Sequence, residues 1–172
     1  MGCFLIITET DFGQIKHSME SSPWLDRALE RADQRGKVLD LSSPLMWGQY
    51  VDSVRKDEYK SHHPQAEVQK AVEVIKQGGG RGKGFIDIYD PATNKVIDIK
   101  AHNFDSYPSK SRVISATVDI ANQMEKYRWS PSIPGHPALE VRFEYTPKNS
   151  EYKAFIENFL AGRGIDVVWL GA

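Results

Sequence analysis

Cysteine is almost missing from this chain: Cys3 stands alone. No internal disulfide can form, and no cysteine-based zinc site can be built. No apolar run approaches the roughly 18 residues of a membrane span. The stretch from Cys3 to Thr8 is short and lacks a basic flank, so no signal peptide is read there. Neither sign of charge is in excess, with 22 basic residues against 23 acidic ones and a net charge of −1. Any affinity for a polyanion must therefore come from a local patch, not from a global field. No internal repeat is present. What remains is 172 residues, 40% hydrophobic and 26% charged. That is the composition of a globular protein able to bury a core without staples, expected in the cytoplasm and away from membranes.

Against that background the stretch Gly84 to Lys100, GFIDIYDPATNKVIDIK, stands out as a β-hairpin. Phe85, Ile86, Ile88 and Tyr89 form an aromatic and β-branched run. Asp90 to Asn94 supplies the turn, and Val96 to Ile99 resumes the strand. Asp87, Asp98 and Lys100 interrupt the apolar runs. Strand side chains alternate with period two, so Asp98 and Lys100 share a face while Ile97 and Ile99 point the other way. If Asp87 pairs onto that face, two carboxylates and an ammonium converge. Two such carboxylates repel unless a cation or a proton lies between them. Mg²⁺ suits the arrangement, because one or two carboxylates hold it while phosphate and waters complete its octahedron. A neighbouring lysine can orient the attacking water or offset charge in the transition state. The competing reading is an ordinary amphipathic hairpin.

Asp87 followed on the next strand by Asp98-Ile99-Lys100 resembles the PD-(D/E)xK nuclease superfamily. No proline precedes Asp87, a departure the superfamily often tolerates. A second resemblance lies in the helix expected over about Ser111 to Arg128, where Val113, Ala116, Ile120, Met124 and Tyr127 line one side. Gln123 sits one turn before Tyr127, and this Gln-x-x-x-Tyr pair is similar to the motif of the RecB-like branch. The match covers roughly residues 64 to 128. It implies a restriction-endonuclease-like α/β fold, a mixed β-sheet flanked by helices.

The remainder divides into a mainly helical extension over residues 1–60 and a core over 61–172, expected to form one compact domain. Phe4 to Ile7 is a short strand or a tail. A helix is expected from Pro23 to about Gln34, and another from about Pro44 to Tyr59 with Met46, Tyr50 and Val54 inward. Pro64 opens a further helical pattern to Gln77, with Val68, Ala71, Val72 and Ile75 as its apolar face and Gly78-Gly79-Gly80 as its stop. On that helix Glu67 falls at the edge of the apolar face. It is either a boundary glutamate reaching water or, as the resemblance implies, the acid that such nucleases place before the catalytic hairpin. His62 and His63 flank the helix start. GGGRGKG (78–84) fails the phosphate-loop test, since it follows a helix and no Ser or Thr follows Lys83. It reads as a flexible linker whose Arg81 and Lys83 are available to backbone phosphates. His102 lies in the loop after Lys100, near the expected site. Leu139 to Tyr145 alternates as a half-buried strand, Glu151 to Ala161 is amphipathic, and Ile165 to Leu170 is a final strand.

The resemblance implies Mg²⁺-dependent hydrolysis of phosphodiester bonds, with Mn²⁺ as a substitute and DNA as substrate ahead of RNA. Asp87, Asp98, Glu67 and the carbonyl of Ile99 would hold metal, Lys100 would position water, and Gln123 would support it. Tyr127, Arg81, Lys83 and His102 would contact substrate. Compact nucleases of this kind recur as toxin modules of interbacterial competition, which implies a cognate immunity protein and delivery to the target-cell cytoplasm. Phage and mobile-element nucleases are comparable. Two other classes stay open: a catalytically silent nucleic-acid-binding module, and a protein-interaction domain whose charged pairs are salt bridges.

Overall fold

The structure is a computed structural model that describes residues 44–171 apart from Gln77, with side chains from residue 52 onward. The expected strand at Phe4 to Ile7 and the helix at Pro23 to Gln34 lie outside the described residues, as do the side chains of Met46 and Tyr50. The described chain opens on helix α1 (Pro44–His62) and continues into strands β1 (Glu67–Ile75), β2 (Arg81–Asp90) and β3 (Lys95–Lys100). A short 3-10 turn, Phe104–Ser106, precedes helix α2 (Lys110–Arg128). Strand β4 (Ala138–Phe143), helix α3 (Ser150–Gly162) and strand β5 (Ile165–Trp169) complete it.

The five strands form one mixed sheet in the order β1-β2-β3-β4-β5. The first two pairings are antiparallel hairpins, and the last two are parallel. Parallel neighbours need a crossover, and α2 and α3 supply the two. This is the α/β mixed sheet with flanking helices that the order of elements implied.

Alternation along β3 sorts the layers. Val96 joins the core with Ile120, Met124 and Tyr127 of α2, whereas Ile99 lines a cleft with Arg55 and Tyr59 of α1. Helix α1 therefore covers the opposite face of the sheet from α2. Ser109 caps α2, its side chain accepting from the backbone N–H of Arg112, and Asn149 caps α3 in the same way through Glu151 and Tyr152.

Two expectations are corrected. The helix read over Pro64 to Gln77 is strand β1, in which the even-numbered positions face inward, ending in fully buried Val72 and Val74. The glycine linker is shorter than expected. Gly78 to Gly80 lie in the bend between β1 and β2, with φ near +94° and +87° at Gly78 and Gly79, and Arg81 to Gly84 already belong to β2. The three glycines end a hairpin, not a helix.

Candidate active site

The site begins where β2 breaks its own regularity. Against β3, β2 is bridged from Ile88 opposite Ile97 to Asp90 opposite Lys95. The next opposed positions, Asp87 and Asp98, are not bridged. Against β1, the ladder continues on both sides of Asp87 but skips it, and the residue opposite, Gln69, has φ +51°. Facing changes there too. Ile86 and Tyr89 both join the core under α2, while Ile88 lines the cleft under α1. A regular strand would put residues 86 and 88 on one face. The strand is thus kinked at Asp87, the kind of irregularity that re-aims one side chain.

Asp87 turns into the opened gap. Its Oδ2 accepts the Ile99 backbone N–H at 2.9 Å, replacing the ladder bond that the departing strand would have made. The carbonyl of a strand residue points to the same edge as its N–H, so the Ile99 carbonyl also faces this gap.

Asp98 comes from β3 and is 4% exposed. Burial, then the hydrogen bond shared with Asp87, pushes its carboxyl up to about 8. Burial also pushes Asp87 upward, but the Asp98 hydrogen bond, the charge of Lys56 and the Ile99 N–H outweigh it and hold Asp87 below its ordinary value. The two carboxyls, Asp98 buried and Asp87 partly so, stand side by side, and their opposite shifts favour the proton on Asp98, as like charges in contact disfavour double ionisation.

Lys100, on the same face as Asp98, places Nζ 2.8 Å from Asp98 Oδ2 and donates to Gln123 Oε1 at 3.1 Å. The Tyr127 side chain lies beside Gln123, and its hydroxyl donates to the Phe85 carbonyl at 2.8 Å. Gly84 makes that approach possible. A Cβ there would stand 3.2 Å from the Tyr127 ring and 3.1 Å from Val74. The glutamine and tyrosine of α2 therefore tie Lys100 to the backbone of β2 beside Asp87.

The helix-borne acid of the site is Asp52, from α1, and Lys56 one turn later accompanies it. Lys56 is 4% exposed. Its Nζ pairs with Asp52 Oδ2 and lies 3.2 Å from Asp87 Oδ1. Burial first, and then the charge of Asp87, raises the Asp52 carboxyl. Two clamps hold α1 in register with the sheet. Arg55 makes a bidentate pair with buried Glu144, both bonds at 2.8 Å, and Tyr59 donates to buried Asp90 at 2.8 Å.

Glu67 stands apart from this cluster. On β1 it is half exposed and pairs with Lys70, so the structure does not bring Glu67 to Asp87 and Asp98, and the helix-borne carboxylate beside Asp87 is Asp52. Arg81 and Lys83 lie on the exposed edge of the β1–β2 hairpin, and Arg81 is paired with Glu73 at 3.1 Å. His102 lies near Lys100 and stacks on Phe104 with ring centroids 5.6 Å apart. Burial, aided by the Lys100 charge, lowers its pKa to about 4, so it is a neutral imidazole at pH 7. His62 and His63 each bond a backbone carbonyl one turn back on α1.

Sequence reasoning missed Asp52 and Lys56. The available signal was their spacing: four apart, and with Tyr59 on the same helical face, they put two charges on a side that packs inward.

Metal fit can be judged from the oxygens. Asp52 Oδ1 and Asp98 Oδ2 are buried acceptors without a hydrogen bond, the Lys100 contact to Asp98 being an ion pair outside hydrogen-bond geometry. Such orphaned oxygens are costly unless a cation takes them. Among the described residues no group of three His, Cys, Asp or Glu side chains is gathered as a metal site. The donors that fit are Asp87, Asp98 and the Ile99 carbonyl, hard oxygens suited to Mg²⁺.

No protein-family model matches the chain, and no curated protein sequence matches it. Among the described residues no helix is long and apolar enough to cross a membrane.

Proposed function

We propose that this protein is a Mg²⁺-dependent nuclease of the PD-(D/E)xK type that hydrolyses phosphodiester bonds, with DNA as substrate ahead of RNA. One observation carries the reading: Asp87, Asp98, Lys100 and Gln123, from three separate elements, meet where β2 and β3 part. A salt-bridged interaction domain has no use for the Asp87 and Asp98 carboxylates placed side by side, since like charges in contact destabilise the fold.

Asp87, Asp98 and the Ile99 carbonyl would hold the ion, which when bound supplies charge stabilisation to the phosphate and lowers the pKa of water. Lys100 donates hydrogen bonds from a position fixed by Asp98 and Gln123, so its ammonium is preorganised to align the attacking water or to meet charge growing on phosphate oxygens. Gln123 holds that ammonium, and Tyr127 lies beside Gln123. The kink at Asp87 and the Gly84 contact keep the assembly on rigid strands and one helix.

The test is incubation of the purified protein with plasmid, linear DNA and total RNA, in Mg²⁺ or Mn²⁺ and in EDTA. Cleavage that needs the metal and is lost in Asp98→Ala supports the reading. Absence of cleavage on all three substrates overturns it.

A further inference from the structure

Lys56 is not explained by the roles assigned so far. It is a lysine at 4% exposure, and an ammonium is buried only where opposite charge compensates it. Its Nζ is shared between Asp52 Oδ2 and Asp87 Oδ1, on the other side of Asp87 from the Ile99 N–H. We infer that Lys56 is a built-in counter-ion occupying the place a second divalent cation would otherwise take between Asp52 and Asp87, so that the site accepts one metal ion only. This rests on the metal-dependent reading above.

Charge balance supports it. Three carboxylates (Asp52, Asp87, Asp98) and two ammoniums (Lys56, Lys100) leave a single negative charge when all are ionised. One divalent ion together with one phosphodiester anion brings the cluster to neutrality. A second divalent ion would leave two uncompensated positive charges in a buried site. Geometry points the same way. Helix α1 is clamped by the Arg55–Glu144 pair one residue before Lys56, which fixes the backbone that carries the ammonium to 3.2 Å from Asp87 Oδ1. Lys56 is thus a positioning residue: it bridges Asp52 Oδ2 and Asp87 Oδ1, and the acceptors left without a hydrogen bond are Asp52 Oδ1 and Asp98 Oδ2, the latter 2.8 Å from the Lys100 ammonium.

The experiment is a count of Mn²⁺ ions bound to the full chain by calorimetric titration, with EPR of free Mn²⁺ as the second readout and no nucleic acid present. The wild type is expected to bind one ion. Lys56→Met is expected to bind two, the second being lost again in Lys56→Met/Asp52→Asn, and Lys56→Arg is expected to bind one. Lys56→Gln, which keeps a donor to Asp52, is the neutral variant to use if Lys56→Met does not fold, and it is also expected to bind two. A wild type that binds two ions overturns the proposal, as does a folded neutral variant that binds one, and in both cases the nuclease reading stands. A wild type that binds none overturns the nuclease reading and this proposal together.

Discussion

Asp87 accepts the backbone N–H of Ile99 through Oδ2 at 2.9 Å, so a side chain of one strand takes the bond that its own backbone relinquishes to the next. The consequence is a gap in an otherwise continuous sheet, floored by protein hydrogen bonds and lined by carboxylates. Asp87→Ala should therefore have two separable effects. It should abolish metal-dependent cleavage, a loss of at least ~10² in rate. It should also leave the Ile99 N–H without a partner, lowering stability by about 1–2 kcal/mol. Chemical denaturation beside a cleavage assay separates the two, and a variant that unfolds completely would show that Asp87 is first a structural residue.

The choice between Asp52 and Glu67 gives a sharper contrast. Glu67 is half exposed and meets only Lys70 within β1, so Glu67→Gln should leave cleavage within about twofold and stability within about 0.5 kcal/mol. Asp52→Asn alters a group beside both Lys56 and Asp87 and should reduce cleavage by at least tenfold. The opposite ranking in a side-by-side kinetic assay would restore the acid to β1.

That contrast also marks how far the sequence could be read. The β2–β3 hairpin, α2, β4, α3 and β5 were legible because a turn motif, a cap or clean alternation sits in each, and the hairpin carries Asp87, Asp98 and Lys100 with it. Strand β1 was misread because Lys70 falls at an inward position. In the fold its stem is half-buried and its ammonium lies 5.3 Å from the centre of the Tyr89 ring, so it behaves there as a largely apolar residue. Without that knowledge, Val68, Val72 and Ile75 fit helical spacing as well as Val68, Val72 and Val74 fit a strand. Asp52 and Lys56 were illegible for a different reason. Their spacing with Tyr59 marks a common face, but their partner Asp87 lies across the fold on another element, so the helix read alone does not say what those charges meet.

The proton favoured on Asp98 sets a pH dependence for the metal-free protein. Asp98 titrates near 8 in the fold, against about 3.9 in an unfolded chain. Between those values the native state keeps a proton that the unfolded state has lost, so stability falls as pH rises, by at most about 1.4 kcal/mol per pH unit. Asp87, whose pKa is lowered, works in the opposite direction, and its contribution is lost only as pH falls below the ordinary carboxylate range. His102, lowered to about 4 by burial against about 6.5 in an unfolded chain, offsets the Asp98 slope between those values, so urea denaturation in EDTA should show stability declining from about pH 6.5 to 8. In Asp98→Asn the slope should largely vanish and the protein should be more stable than the wild type at pH 8, although inactive. A wild-type stability that rises across this interval would contradict the buried carboxyl pair.

The Gln123–Tyr127 relay can be tested through the glycine that admits it. Gly84→Ala places a methyl 3.2 Å from the Tyr127 ring and 3.1 Å from Val74, tight enough to displace the ring and, through Gln123, the support of Lys100. The expected loss is about 1–2 kcal/mol of stability with a drop in the cleavage rate and little change in KM. Tyr127→Phe keeps the ring and removes the hydroxyl, with its bond to the Phe85 carbonyl and its contact with Gln123, so it should cost about 1 kcal/mol and lower activity less than Gly84→Ala does. If Gly84→Ala cleaves at the wild-type rate while Lys100→Ala does not, the relay is packing and Lys100 is held without it.

The clamp on α1 joins stability to the site in one measurement. Glu144 is 2% exposed and takes both bonds from Arg55, and Arg55 sits one residue before Lys56. Removing one partner of such a pair leaves the other charge buried and uncompensated, which destabilises by about 3 kcal/mol. Arg55→Ala, which strands the buried Glu144, should reach that figure, and Glu144→Ala should fall short of it, because Arg55 keeps Glu58 at 2.7 Å. The double variant should be less destabilised than the sum of the two, because neither charge is then stranded. All three should also weaken cleavage, since α1 carries Asp52 and Lys56 to the carboxylates of the sheet. A double-mutant cycle with no coupling, or full activity in Glu144→Ala, would mean that α1 is seated by Tyr59 and Val54 alone and that the ion pair does not govern where Lys56 lies.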